Sequence, residues 1–198
     1  IFIVHRLDRD TSGLVLFAKN EASHKYLSQL FEKRNIEKIY LGFIRGSLPE
    51  KEGKIDEPIA EHPSRKGVMV IHKKEKPSLT EYEVLEDFGI FSLIKFNIQS
   101  GRTHQIRIHV KSLGHPSACD AVYGDGKPVL LSSFKKKYKL SQHEEEERPI
   151  LSRLALHSFK LNFKDNKGIE HSLESPLPKD MKATLQQLKK IRGVNSNP

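Results

Sequence analysis

A single cysteine, Cys119, is the only thiol in this sequence of 198 residues. An intramolecular disulfide is excluded, a structural zinc site of the thiolate kind lacks its ligands, and a reducing cytoplasm fits. Cys119 itself reads as a small buried apolar side chain. Hydrophobic residues make up 36% of the chain, and no apolar run approaches the roughly 18 residues that a membrane span requires. No internal repeat is visible. His104, His109 and His115 stand at spacings that match no familiar zinc pattern, so no metal ligand is assigned.

What the sequence does have is positive charge. Lys and Arg number 34 against 25 acidic residues, a net charge of +9. Such an excess favours an anionic partner, nucleic acid first and an anionic membrane surface second, against plain solubilisation. The length suffices for one substantial domain with a proper core.

Hydrophobic patterning gives the element order. Residues 1–4 and 14–18 read as short strands around a charged stretch. Residues 20–36 read as a helix capped by Asn20, with Ala22, Tyr26, Leu27, Leu30 and Phe31 at helical spacing. "EKIYLGFIRG" is a strand. Residues 47–77, rich in Pro, Gly, Lys and Glu, read as loop with little regular structure. Residues 78–101 form a β-hairpin turning near Asp87-Phe88-Gly89. "THQIRIHVKSLGHP" fits strand alternation and one helical face alike; a helix with Thr103 as N-cap and a stop at Gly114 is preferred. Residues 132–149 carry a basic block and then an acidic one, and read as a charged, solvated insertion. A second hairpin follows, with Phe159, Leu161 and Phe163 alternating before a Lys-Asp-Asn-Lys-Gly turn, and an amphipathic helix closes the chain. Hairpin-paired strands with helices between them predict an α+β fold, a largely antiparallel mixed sheet with flanking helices and loops.

The charged stretch "HRLDRDTSG" between two apolar runs is not ordinary turn chemistry. Asp8-Arg9-Asp10 resembles the Asp-x-Asp of magnesium-dependent haloacid-dehalogenase-type phosphatases, but hairpins replace the strand–helix alternation of that fold, and no further Asp follows "YGDG". Taken whole, "HRLDRDTSGLVLFAKN" resembles the active-site motif of RluA-type pseudouridine synthases. The resemblance continues in order through "KIYLGFIRG", "SGRTHQIRIHVKSLGHP", "HPSACDAVYG" and "LALHSFKLNF". Cys119, Ala121, Gly42 and Ser158 depart from the usual pattern, all by exchanges among small residues.

The resemblance implies a catalytic domain over residues 1–198 that isomerises uridine to pseudouridine in structured RNA, ribosomal or transfer RNA, without cofactor or metal. It implies a cytoplasmic, monomeric enzyme with no membrane partner. It implies Asp8 as the essential carboxylate, Tyr40 against the uracil and Arg107 paired with Asp8, because a carboxylate in an apolar cleft needs a cation to stay ionised. His5, Arg6, Arg102 and Ile106 form the expected RNA-binding set. Within it, Arg6 fills the space of a flipped nucleotide, His5 orders the loop and Ile106 packs beside the ion pair. The family's domain carries strands ahead of the Asp motif, and many members an S4-like RNA-binding module. Ile1 already sits in an apolar run, and the expectation is that such a segment belongs in front of it.

Overall fold

The computed structural model describes residues 1–73, 77–135, 138–140 and 145–195. Its elements run β1 (Phe2–Ile3), β2 (Ser12–Gly13), β3 (Phe17–Ala18), α1 (Glu21–Glu32), β4 (Glu37–Arg45), β5 (Glu52–Asp56), β6 (Ile59–Glu61) and β7 (Met69–Ile71). There follow β8 (Leu79–Asp87), β9 (Phe91–Ile98), α2 (Gln105–Ser112), a 3-10 turn at Leu131–Ser133, β10 (Leu156–Lys164), β11 (Glu170–Glu174) and α3 (Lys179–Asn195). The main sheet has the order β11-β10-β4-β9-β8-β5, antiparallel throughout, with β2 added to β10 as a short parallel strand. The α+β fold with a mostly antiparallel sheet is as the sequence predicts.

The core lies on both faces of the central strands. Phe91 and Leu93 of β9 pack with Phe43 of β4 against Met181 and Leu188 of α3. Ile94, Phe96 and Ile98 point the other way and pack with Ile44 against Ile106 and Val110 of α2. A strand covered on both faces loses the apolar/polar alternation of a half-exposed one, which is why "FSLIKFNI" carries apolar residues on both faces. At the opposite end α1 lays Leu30 against Leu161 of β10 and Ile36. Asn20 caps α1 as expected, its side-chain oxygen accepting the Ser23 N–H at 2.8 Å.

Two expectations need correction. Residues 47–77 hold β5, β6 and β7 rather than loop alone. β5 is an edge strand on β8 whose buried residue is Ile55, and β6 pairs β7 in a three-residue ladder beneath Ile108 and Tyr123. Strands this short, with one buried residue or an outer layer to cover, carry too few apolar positions to show a period. Secondly, the helix preferred over residues 103–114 is present as α2, but His104 and not Thr103 is its N-cap, and no side chain caps it. Every residue from Gln105 to Val110 is buried, because the sheet covers one side of α2 and the β6–β7 layer the other. A helix buried all round shows no amphipathic stripe, hence the ambiguity of "HQIRIHV".

Both hairpins form, and each turn is held by its aspartate. Asp87 accepts from the Gly89 N–H, and Asp165 from the N–H groups of Lys167 and Ile169. Val129 and Leu151 pair across the mouth of the charged segment, whose residues 136–137 and 141–144 lie outside those described. Cys119 is buried and unpaired, its thiol donating weakly to Leu151 O.

Candidate active site

The stretch between β1 and β2 folds into a loop across the end of the main sheet. A backbone bond from Thr11 N to Asp8 O at 3.1 Å closes its tight turn. Behind the turn, β2 is pinned to β10. Ser12 donates to Nδ1 of buried His157 at 2.9 Å, and His157 in turn donates from Nε2 to Ser175 O at 3.0 Å. Arg153 donates to Ser12 Oγ at 3.2 Å and is itself held by Asp180 of α3 at 2.7 Å. Gly13 has φ +117, and a Cβ there would lie 2.2 Å from Ser158 O, so only glycine permits this approach.

The loop forms one wall of a cleft of about 240 Å³. Arg6, Leu7, Asp8, Arg9 and Thr11 come from the loop; Tyr40 from β4, Ile98 from β9 and Leu156 from β10 form the floor. Gly101 through Ile106 make the opposite wall. A larger groove, about 960 Å³, lies between α1 and the β10–β11 turn; it contains none of these residues.

Asp8 and Tyr40 thus face one cavity although 31 positions separate them. Burial pushes the Tyr40 phenol up to about 12, with the Asp8 charge adding to the effect. Tyr40 therefore stays a neutral, largely apolar ring at the cleft floor. Ile106, 4% exposed, supplies apolar wall beside it. Arg6 is exposed at the mouth, and Arg9 and Arg102 line the same opening.

Arg107 is buried one layer behind Asp8, with one Nη 3.9 Å from an Asp8 carboxylate oxygen. Its principal partner is Asp120. Nε and the second Nη donate to the two Asp120 oxygens at 2.7 and 2.8 Å, a bidentate pair. Asp120 also accepts from the backbone N–H groups of Val122 and Tyr123. Burial works to raise the Asp120 carboxyl, but these bonds outweigh it and hold the group below the ordinary carboxylate value. Tyr123 closes the far side, its ring 5.0 Å from the guanidinium.

His5 stands apart from the other residues expected to bind RNA. It does not line the cleft; its Nε2 accepts the Leu16 N–H at 2.9 Å and its ring stacks on Phe31 of α1. Burial and the nearby Lys38 cation keep it neutral, as an accepting Nε2 requires. These contacts anchor the loop to Leu16, just before β3, and to α1. Asp10, with φ +68, is an exposed turn residue. Sequence reasoning missed Asp120, Tyr123, His157 and Arg153. The first two lie in "HPSACDAVYG", a motif that names them without showing that they face Arg107. Among the described residues, no group of three or more His, Cys, Asp or Glu is placed to hold a metal ion.

Comparison with known proteins agrees with this geometry. The family model described as RNA pseudouridylate synthase matches residues 1–112. Ribosomal large subunit pseudouridine synthase D of Nitrosomonas europaea is 37% identical over 190 residues, 96% of this chain and 52% of that protein. Its namesake in Escherichia coli K12 is 33% identical over 180 residues, covering 90% and 53%. The chain spans about half the length of these relatives. Among solved structures, human RNA pseudouridylate synthase domain containing 4 superposes with a TM-score of 0.74 at 25% identity, over 95% of this chain and 76% of that one. Human domain containing 1 superposes with a TM-score of 0.70 at 27% identity, over 100% and 81%.

Proposed function

Because this chain belongs to the RNA pseudouridylate synthase family, we propose that it isomerises uridine to pseudouridine in structured RNA, with Asp8 as the essential carboxylate. The observation that carries this reading is the meeting of Asp8 and Tyr40 in one cleft, with an Arg107 nitrogen 3.9 Å from the Asp8 carboxylate. The arrangement brings together a carboxylate, an apolar ring for a base to lie against and a fixed cation, which is what this isomerisation requires.

In the reaction the N1–C1′ bond breaks and its electron pair stays with the uracil. The base turns, a new bond forms from C5 to C1′, the C5 proton leaves and N1 gains one. Atoms and charge balance without an oxidant, a reductant or a metal. Asp8 acts at the sugar, and Tyr40 and Ile106 hold the base. The target atoms are buried in a stacked helix, so the nucleotide must be flipped out, at a cost of roughly a few kcal/mol. In this reading Arg6, which lines the cleft, occupies the vacated stack.

Ribosomal RNA is the proposed substrate class, supported by the names of the bacterial relatives and by the net charge of +9. A cytoplasmic location is proposed with that substrate. No helix among the described residues is long and apolar enough to cross a membrane. The test is tritium release from RNA labelled at uracil C5, comparing the protein with its Asp8→Asn variant. Release by the parent alone is expected, with the variant slower by at least about 10³-fold and still binding RNA. Equal release by both would remove Asp8 from the mechanism.

A further inference from the structure

His104 lines the cleft together with Asp8, and the reaction as described gives it no part. It opens α2 at φ +56, in the left-handed region, yet its side chain caps nothing. A residue other than glycine held there costs of order 1–3 kcal/mol. Among the described residues its side chain makes one hydrogen bond, from Nδ1 to Tyr123 Oη at 2.8 Å.

The bonds at Tyr123 determine which ring nitrogen carries the proton. The Met69 main-chain N–H donates to Tyr123 Oη at 2.7 Å, so that oxygen already accepts. Tyr123 is 5% exposed, and its hydroxyl proton needs an acceptor. His104 Nδ1 is the acceptor within reach, so Nδ1 is bare and Nε2 carries the hydrogen. Burial first, then the Arg107 guanidinium and more distant Arg6, oppose a second proton, against Asp8 and Asp120, which favour one. The balance lowers the His104 pKa from its ordinary value. The ring is therefore neutral at neutral pH, and among the described residues its Nε2–H has no hydrogen-bond partner.

We propose that His104 Nε2–H donates a hydrogen bond to a carbonyl oxygen of the flipped uracil. The inference rests on the pseudouridine-synthase reading and adds a residue to it. When the N1–C1′ bond breaks, the electron pair left on the ring spreads over N1 and the carbonyl oxygens, so the bond strengthens as the transition state is approached. A neutral donor suits the site. It stabilises charge on the base without competing with Arg107 for Asp8, as an imidazolium would.

Two measurements test this. Nitrogen-15 NMR of the imidazole in the protein is expected to show a protonated Nε2 and a bare Nδ1 at neutral pH; an imidazolium, or the opposite tautomer, overturns the proposal. Pseudouridine formation is then followed on an unmodified transcript of large-subunit ribosomal RNA, with His104→Phe and His104→Gln. The Phe variant is expected to lose about 10²-fold in kcat with transcript binding unchanged in filter retention, and the Gln variant, which keeps an N–H, to recover part of it. Full activity in His104→Phe, or a loss of binding that accounts for its lost rate, overturns the donor role while leaving the isomerase reading intact. A parent protein that forms no pseudouridine from the transcript overturns that reading, and the donor role with it.

Discussion

Arg107 spends two of its three nitrogens on Asp120, at 2.7 and 2.8 Å, and turns the third toward Asp8 at 3.9 Å. The guanidinium that faces the Asp8 carboxylate is thus fixed from behind by a carboxylate that does not line the cleft. Asp120 is 1% exposed and is gripped by two backbone N–H groups as well, so the fork cannot swing. One buried charge is balanced before substrate arrives, and the second carboxylate is left partly hydrated and available.

Replacing Asp120 by Asn should therefore destabilise the fold by about 3 kcal/mol at neutral pH, since breaking a buried pair strands its partner. The effect has a sign in pH. A carboxyl held below its unfolded value contributes stability that is present above about pH 4 and is lost as pH falls through the folded value. Denaturation at several pH values is expected to show the gap between parent and Asp120→Asn narrowing in acid. A gap that stays constant down through the carboxylate range would show that Asp120 is not the charged partner.

Arg107→Lys keeps the charge but loses the planar fork, and one ammonium cannot hold both Asp120 oxygens while facing Asp8. Activity should fall by about 10²-fold or more with RNA affinity changed little. Near-normal turnover would mean that charge alone, and not its orientation, serves Asp8.

Gly13→Ala places a Cβ where Ser158 O and N already stand, at 2.2 and 2.6 Å, on a backbone with φ +117. The parallel pairing of β2 with β10 must open, and the loop bearing Asp8 must move. A loss of more than about 1 kcal/mol is expected in thermal or chemical denaturation, together with loss of activity. Retained activity at unchanged stability would show that the loop does not depend on this close approach.

RNA binding should weaken steeply with salt, as phosphate contacts release counterions. Arg6→Ala should make the slope of log affinity against log salt shallower by about 1 if Arg6 meets a phosphate, and leave it unchanged if the side chain only stacks. Affinity that did not depend on salt would separate the +9 charge from RNA altogether.

Much of the fold was legible because the relevant signals are local. The α1 cap at Asn20, the turns at Asp87 and Asp165, and the alternation of Phe159, Leu161 and Phe163 all act within a few residues. Where a segment's structure depends on what covers it, the pattern failed. β5, β6 and β7 owe their strands to β8, to each other and to the α2 layer, and α2 lost its helical stripe by being buried on every side.

The sequence by itself offered candidates for the chemistry, a carboxylate, a tyrosine and an arginine, through a family resemblance carried by ordered motifs. It also determined the basic character that favours an anionic partner. Only the tertiary structure decided how those residues are held. Arg107 belongs first to Asp120 and only then to Asp8, His5 anchors the loop instead of lining the cleft, and Tyr123 bonds to the His104 ring at Nδ1. The physical reason is that a side chain's charge, tautomer and direction are set by the partners that share its burial. Those partners here come from positions as far apart in sequence as Asp8 and Asp120, or Ser12 and His157.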